Sequence, residues 1–220
     1  MTSKKILFLF AVVLSFAFVF FSYLVAKEAF TQFDFDTTVK IQDHLSRKVD
    51  LPFSLISVFG SAEVTGSLWL VMVILFLIKR YWLTAASLFL FPFGLFLEVF
   101  GKVFVHHPGP PFLFYRGVLD FNFPSHYVHT EYSYPSGHTY RLGFLLSLII
   151  VYFLFRTNFY IRVITIPILL FFVLSVVVSR IYLGEHWTTD VIGGLLLGSS
   201  FGIISGITIP FKGKVQDGIS

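Results

Sequence analysis

Six separate stretches of this 220-residue chain are apolar over roughly the length needed to cross a lipid bilayer. A hydrocarbon core about 30 Å thick takes about 20 apolar residues of helix. The runs extend over Ile6–Ala26, Ala62–Ile78, Tyr81–Gly101, Thr139–Phe155, Val163–Ser179 and Thr188–Ile209. Only 13% of the residues are charged and 56% are hydrophobic, whereas a soluble domain carries about a quarter charged residues. The same balance excludes intrinsic disorder, which needs few apolar residues and much net charge. The chain has no cysteine, which excludes a disulfide or thiolate-metal scaffold. The expectation is one all-α domain over residues 1–220, a bundle of six transmembrane helices.

Sixteen Lys and Arg against twelve Asp and Glu leave a net charge of +4. The basic residues lie mostly between apolar runs, so they speak to membrane orientation and not to a nucleic-acid partner. Four short basic groups alternate with the spans: Lys4 with Lys5, Lys79 with Arg80, Arg156 with Arg162, and Lys212 with Lys214. Six spans put all four groups on one side, which the positive-inside rule makes cytoplasmic. Both termini are then cytoplasmic, and the long segments 27–61 and 102–138 lie outside. The first run follows Lys4 and Lys5 as a signal peptide would. Its apolar part exceeds the usual length of about 7 to 15 residues and no clear cleavage site follows, so it reads as a retained span. Within the first outer segment, Phe33 to Asp50 alternates acidic, basic and apolar residues at near-helical spacing. Two readings fit, a helix lying on the membrane surface and a solvated loop.

Ionisable residues at span ends are costly and call for a function. Lys102 ends the third run, Pro135-Ser136-Gly137-His138 opens the fourth, Ser179 and Arg180 end the fifth, and His186 and Asp190 open the sixth. The orientation read from loop charges alone brings all four places to the outer side. In the sixth run His186, Asp190, Gly194, Gly198, Gly202 and Gly206 recur every fourth residue. Such a ridge of small residues lets another helix approach closely, so it faces protein, most firmly at its His186 end.

These residues resemble the type 2 phosphatidic acid phosphatase superfamily, which includes membrane lipid phosphatases and soluble vanadium haloperoxidases. Its PSGH motif stands as Pro135 to His138, and its SRxxxxxHxxxD motif as Ser179, Arg180, His186 and Asp190. The first motif, Lys followed after six residues by Arg-Pro, departs here. From Lys102 the count reaches Gly109 and Pro110, so the arginine is missing. Three residues are candidates to replace it: His107, Arg116, and Arg141, which is favoured because it lies three residues beyond His138 on the same helical face. The resemblance implies the fold core shared with those enzymes, hydrolysis of a lipid phosphate, a phosphohistidine on His186, and no required metal or other cofactor.

The residue chemistry agrees without choosing between the histidines. Phosphoryl transfer asks mainly for positioning and for neutralising charge on three oxygens. Lys102 and Arg180 supply charge, and the planar guanidinium suits two oxygens at once. The start of the fourth helix, with Ser136 and Gly137, offers unpaired N–H groups to an anion. Imidazole can serve as nucleophile or as acid and base, and Asp190 at i+4 can orient His186. Glu98, four residues before Lys102, has the spacing of a structural ion pair.

His106, His107, His126 and His129 share the second outer segment. Their spacing matches no familiar zinc site, so they read as loop or substrate-contact residues, with zinc as the competing reading. The aromatics between Phe112 and Tyr134 read as an interfacial belt or as a semi-rigid lid over the lipid chain. The expected function is removal of a terminal phosphate from a lipid phosphate or diphosphate at the outer surface. Polyprenyl diphosphate, phosphatidylglycerophosphate and phosphatidate are the substrates suggested by the resemblance. A phosphotransferase and a non-catalytic lipid binder or transporter are the competing functions. Oligomeric state is not legible.

Overall fold

The computed structural model describes residues 3–119 and 132–210. Its helices are α1 (Ser3–Ala26), α2 (Thr31–His44), α3 (Asp50–Val58), α4 (Ala62–Ile78), α5 (Trp82–Ser87), α6 (Leu90–Phe104), α7 (Gly137–Arg156), α8 (Phe159–Tyr182) and α9 (Thr188–Ile207). Six lengths are long and apolar enough to cross a membrane: α1, the stretch Arg47–Ile78 containing α3 and α4, the stretch Trp82–Phe104 containing α5 and α6, α7, α8 and α9. The chain is all-α and multi-pass, as its apolar runs predict.

The bounds differ from the sequence reading mainly at the ends that carry polar residues. Helix α6 continues to Phe104, α7 begins at Gly137, and α8 covers Phe159–Tyr182. Lys102 and Arg180 therefore sit in last turns of helices, where a cation faces the negative end of the dipole. The third span also breaks. Pro92 has no N–H to give to the Leu88 carbonyl, and that oxygen instead accepts from the Phe91 N–H at 3.0 Å and the Trp69 indole N–H at 2.9 Å.

Helices α7 and α9 form the centre and pack against each other more extensively than any other pair. In their apolar windows 56% and 61% of residues are buried, against 6% in α1 and α8, which places α1 and α8 at the lipid-facing periphery. The glycine ridge explains the close central packing along its whole length. A Cβ at Gly194 would lie 2.4 Å from the Ser136 carbonyl oxygen, at Gly198 2.1 Å from that of Tyr140, and at Gly202 2.2 Å from that of Phe144. Backbone cannot move aside as a flexible side chain can, so α9 approaches α7 only with glycine there.

Segment 27–61 is not one loop, because it contains α2 and α3. Of the two readings for Phe33 to Asp50, the helical one describes α2, with an unexpected orientation. Asp34, Thr38 and Gln42, at i, i+4 and i+8, are buried, while Phe33 and Phe35 are about half exposed. The polar stripe faces protein: Gln42 donates to the carbonyls of Phe114 and Tyr182 at 2.7 and 2.8 Å.

The two ends of the bundle differ in chemistry. At one, Lys4 donates to the Ile207 carbonyl at 2.7 Å, Arg156 to that of Pro210 at 2.5 Å, and Arg162 Nε to that of Thr157 at 2.8 Å. Lys212 and Lys214 lie outside the described residues. At the other end stand Lys102, His138, Arg180 and His186.

Replacing Gly198 by alanine is expected to lower stability in detergent by about 1–3 kcal/mol through overpacking against backbone. Gly66→Ala, where a Cβ meets nothing within 4 Å, is expected to be neutral or to stabilise by up to about 1 kcal/mol through helix propensity. Thermal melts of the two variants against the parent check the ranking.

Candidate active site

Three helix ends and one turn converge to build the site. Lys102 comes from the last turn of α6, Ser136 to Arg141 from the start of α7, Arg180 from the last turn of α8, and His186 from the turn before α9. The charges of Arg180, Arg141 and Lys102 act on His138, which is also close enough to interact with His186. Arg180 and Lys102 likewise act on His186. All the motif residues are thus brought to one place.

The start of α7 is uncapped. Ser136 precedes the helix but its side chain makes no capping bond. Its hydroxyl is buried and has no hydrogen-bond partner among the described residues, while its N–H donates to the Asp190 carbonyl oxygen at 3.0 Å. Arg180 Nε is a second buried polar atom with no partner among the described residues. Buried polar groups are ordinarily hydrogen-bonded, so an uncapped helix start beside two orphaned atoms suits an anion.

Glu98 fixes the cations. Its carboxylate lies 3.0 Å from Lys102 Nζ and 3.5 Å from an Arg141 guanidinium nitrogen. A Cβ at residue 137 would come within 2.1 Å of Glu98 Oε1, so the glycine of the motif makes room for this clamp. Arg141 also donates from Nε and a terminal nitrogen to the Gly60 carbonyl at 3.2 and 3.1 Å. It approaches His138 Nδ1 at 3.4 Å. A guanidinium only donates, so Nδ1 accepts, and the ring proton of His138 lies on Nε2 in this geometry.

His186 is buried, and its Nδ1 lies 3.3 Å from Asp190 Oδ2. The same carboxylate oxygen accepts the Trp187 N–H at 2.9 Å, as an acid in the first turn of a helix commonly does. A proton held on Nδ1 by the carboxylate leaves Nε2 with a free lone pair. Burial first, and then the positive charges of Arg180 and Lys102, hold the His186 imidazole well below the ordinary histidine range. The ring is therefore neutral at neutral pH.

A cavity of about 100 Å³ opens here, lined by Ser54, Ser57, Tyr115, His138, Arg180 and Glu185 among others. Arg180 donates to the Ser57 hydroxyl and pairs with the Glu185 carboxylate. Neither partner was foreseen. Ser57 belongs to a helix inside a segment read as a loop, whereas Glu185, next to His186 in the chain, was open to notice.

The three candidates for the missing arginine fall in different places. Arg141 stands beside His138. Arg116 donates to the Gln42 carbonyl at 3.1 Å and lies over the Tyr182 ring, and it does not line the pocket although Tyr115 and Gly117 do. His107 lies behind the His186–Asp190 pair, 3.6 Å from an Asp190 oxygen. Gly109 lines a separate cavity with His106, His107 and Trp187. His126 and His129 lie outside the described residues. Among the described residues no group of three or more His, Asp or Glu is arranged to hold a metal ion.

Of the aromatics, Phe112 is exposed, while Phe114 is buried edge-on to Phe35 and Trp187. Tyr134 is wholly buried and shares a 2.8 Å hydrogen bond with Ser22, so it is neither belt nor lid. Phe121, Phe123 and Tyr127 lie outside the described residues.

The family model of the PAP2 superfamily matches residues 81–213, which include every motif residue. Among solved structures, the chain is similar to a transmembrane PAP2 type phosphatidylglycerolphosphate phosphatase from Bacillus subtilis. The TM-score is 0.70 at 20% identity, covering 89% of this chain and 93% of that one. It is also similar to LpxE from Aquifex aeolicus, with a TM-score of 0.55 at 24% identity, covering 79% of this chain and 94% of that one. At these identities the likeness speaks to the fold. No curated protein sequence matches.

Glu98→Ala is expected to destabilise the protein by about 3–5 kcal/mol, because it leaves two largely buried cations without their shared counter-charge. Chemical denaturation in mixed micelles checks this, and a loss below about 1 kcal/mol, the scale of an exposed ion pair, would show that the clamp is solvent-screened.

Proposed function

The chain belongs to the PAP2 superfamily, and from that membership and the pocket geometry we propose that it is a membrane phosphatase. In this reading it removes the terminal phosphate of a lipid phosphate or diphosphate at the outer face of the membrane. The observation that carries the reading is the uncapped start of α7, with the orphaned Ser136 hydroxyl and Arg180 Nε beside two histidines.

The incoming phosphate takes the α7 N–H groups, Lys102 and Arg180. To do so it displaces the Glu185 carboxylate, which already holds Arg180 as an internal anion. His186 Nε2 attacks phosphorus while Asp190 steadies the positive charge forming on the ring. The bond from phosphorus to the lipid oxygen breaks, and His138 gives that oxygen a proton. Water activated by His138 then cleaves the phosphohistidine. The acid step requires His138 to carry a second ring proton, which its present contact with Arg141 blocks. Movement of Arg141 from Nδ1 to a phosphate oxygen frees that nitrogen and supplies the cation that Gly109 lacks.

The basic groups at the opposite end support a cytoplasmic setting for that end, with the site facing outward and both termini inward in this reading. The apolar outer surfaces of the bundle favour a lipid approaching sideways over a soluble ester. Polyprenyl diphosphate, phosphatidylglycerophosphate and phosphatidate are the candidates. The chemistry uses only side chains and water, so no metal is required in this reading.

Purified protein is expected to release phosphate from at least one of these lipids in the presence of EDTA, and His186→Ala is expected to abolish release while still folding in the membrane. Rapid acid-sensitive, base-stable labelling from a radiolabelled substrate should appear in the parent and vanish in His186→Ala. Labelling that persists in that variant would reject His186 as nucleophile, and activity lost to chelator but restored by zinc would reject the metal-free route.

A further inference from the structure

A second buried polar network stands behind Asp190, away from the pocket. Oδ2 of Asp190 is used by His186 and by the Trp187 N–H. Oδ1 is buried and makes no hydrogen bond of ordinary geometry among the described residues; His107 Nε2 lies 3.6 Å from it, and the Ser133 side chain also approaches the Asp190 carboxylate. The same nitrogen lies 3.6 Å from Asp34 Oδ2 and 3.2 Å from the Thr189 hydroxyl oxygen.

The hydrogen-bond count fixes the tautomer. Thr189 has one hydroxyl hydrogen, which it donates to Asp34 Oδ2 at 2.6 Å. Its contact with His107 therefore leaves the ring nitrogen as donor. His107 Nε2–H is thus aimed at a cluster of three oxygens belonging to Asp34, Thr189 and Asp190. The imidazole stands edge-on at 90° to the buried Tyr134 ring, and the His107 carbonyl is held by the N–H and hydroxyl of Ser133 at 3.0 and 3.2 Å.

Asp34 anchors the arrangement from outside the bundle. It belongs to the buried stripe of α2, and its Oδ1 accepts the Thr189 N–H at 2.9 Å, satisfying a donor in the first turn of α9. Burial pushes the Asp34 carboxyl up, the two Thr189 hydrogen bonds draw it down, and Asp190 adds an upward push that His107 counters. Two carboxylates this deep need a donor between them, and among the residues that face both, His107 provides it.

We propose that His107, held by Asp34 and Thr189, is a positioning residue that fixes the Asp190 carboxylate against His186. The inference rests on the assignment of His186 as nucleophile. It gives His107 a role different from the one its place near the first motif suggests: it serves the far side of Asp190 and does not touch phosphate. It also gives α2 a purpose, as the strut that holds the start of α9.

The test compares the full-length protein with His107→Leu, His107→Gln and Asp34→Asn in mixed micelles. Leucine fills the space without a donor, while glutamine keeps an N–H. His107→Leu is expected to lower kcat by roughly 10- to 100-fold, a part of what positioned acid–base groups contribute. KM and inhibition by inorganic phosphate are expected to stay within about twofold, against the tenfold change that accompanies 1.4 kcal/mol of lost binding. His107→Gln is expected to recover most of the loss, and Asp34→Asn to fall between. Unchanged kcat in His107→Leu, a raised KM with kcat intact, or equal losses in the Leu and Gln variants would each overturn the proposal.

A second readout needs no turnover: carbethoxylation of His186 by diethyl pyrocarbonate, followed by peptide mass spectrometry. The rate at His186 is expected to fall in His107→Leu and recover in His107→Gln, because the reagent reads the free Nε2 lone pair that Asp190 maintains. A rate indifferent to both substitutions overturns the positioning role. Should the parent release no phosphate from any lipid while this pattern holds, the hydrolytic assignment falls and the positioning network stands.

Discussion

Charge buried at the end of an apolar bundle has to be paired, and the rest of this structure follows from how that pairing is done. Lys102 and Arg141 share Glu98, Arg180 holds Glu185, and Asp190 is set between two imidazoles. Each pair draws members from different helices or from successive turns, so the pairing is also what brings the helix ends together. Glycine at 137 leaves room for the Glu98 carboxylate, and glycine at 194 lets α9 come close enough for Ser136 and Asp190 to meet.

This arrangement also ties stability to chemistry. The groups that hold one another in the resting protein are those an anion would recruit. In the proposed reading, a phosphate takes the place of Glu185 at Arg180 and of His138 at Arg141, so both guanidinium groups keep a partner. A pocket of this kind can stay folded when empty and still bind a dianion. Peripheral α1 contributes little to the pairing and α8 contributes Arg180 from its last turn, while both present apolar faces outward.

Much of this was legible from residues alone, for physical reasons. Apolar runs near 20 residues announce spans because lipid tolerates little else, and the i+4 ridge of α9 announces its buried face. Lys102, His138, Arg180 and His186 could be placed together because loop charges orient the spans independently of the motifs. What escaped notice depends on contacts between segments distant in the chain. The stripe of Asp34, Thr38 and Gln42 was visible as a pattern, yet its direction was not. At a membrane interface a polar stripe can face protein while Phe33 and Phe35 face outward, the reverse of a soluble helix. Ser57 gave no signal, since nothing in its local sequence marks it as a partner of Arg180. The break in the third span was open to view in Pro92, although the Trp69 donor that tolerates it was not.

The central claim is that one anion pocket presents His186 Nε2 to phosphorus, with Lys102, Arg180 and the start of α7 around the oxygens. A structure determined with orthovanadate, a mimic of five-coordinate phosphorus, tests it most directly. The account predicts vanadium bonded to His186 Nε2, its oxygens contacted by Lys102, Arg180 and the α7 N–H groups, and Glu185 displaced from Arg180. Vanadate bonded to His138, or bound away from α7 with the Arg180–Glu185 pair intact, would contradict it.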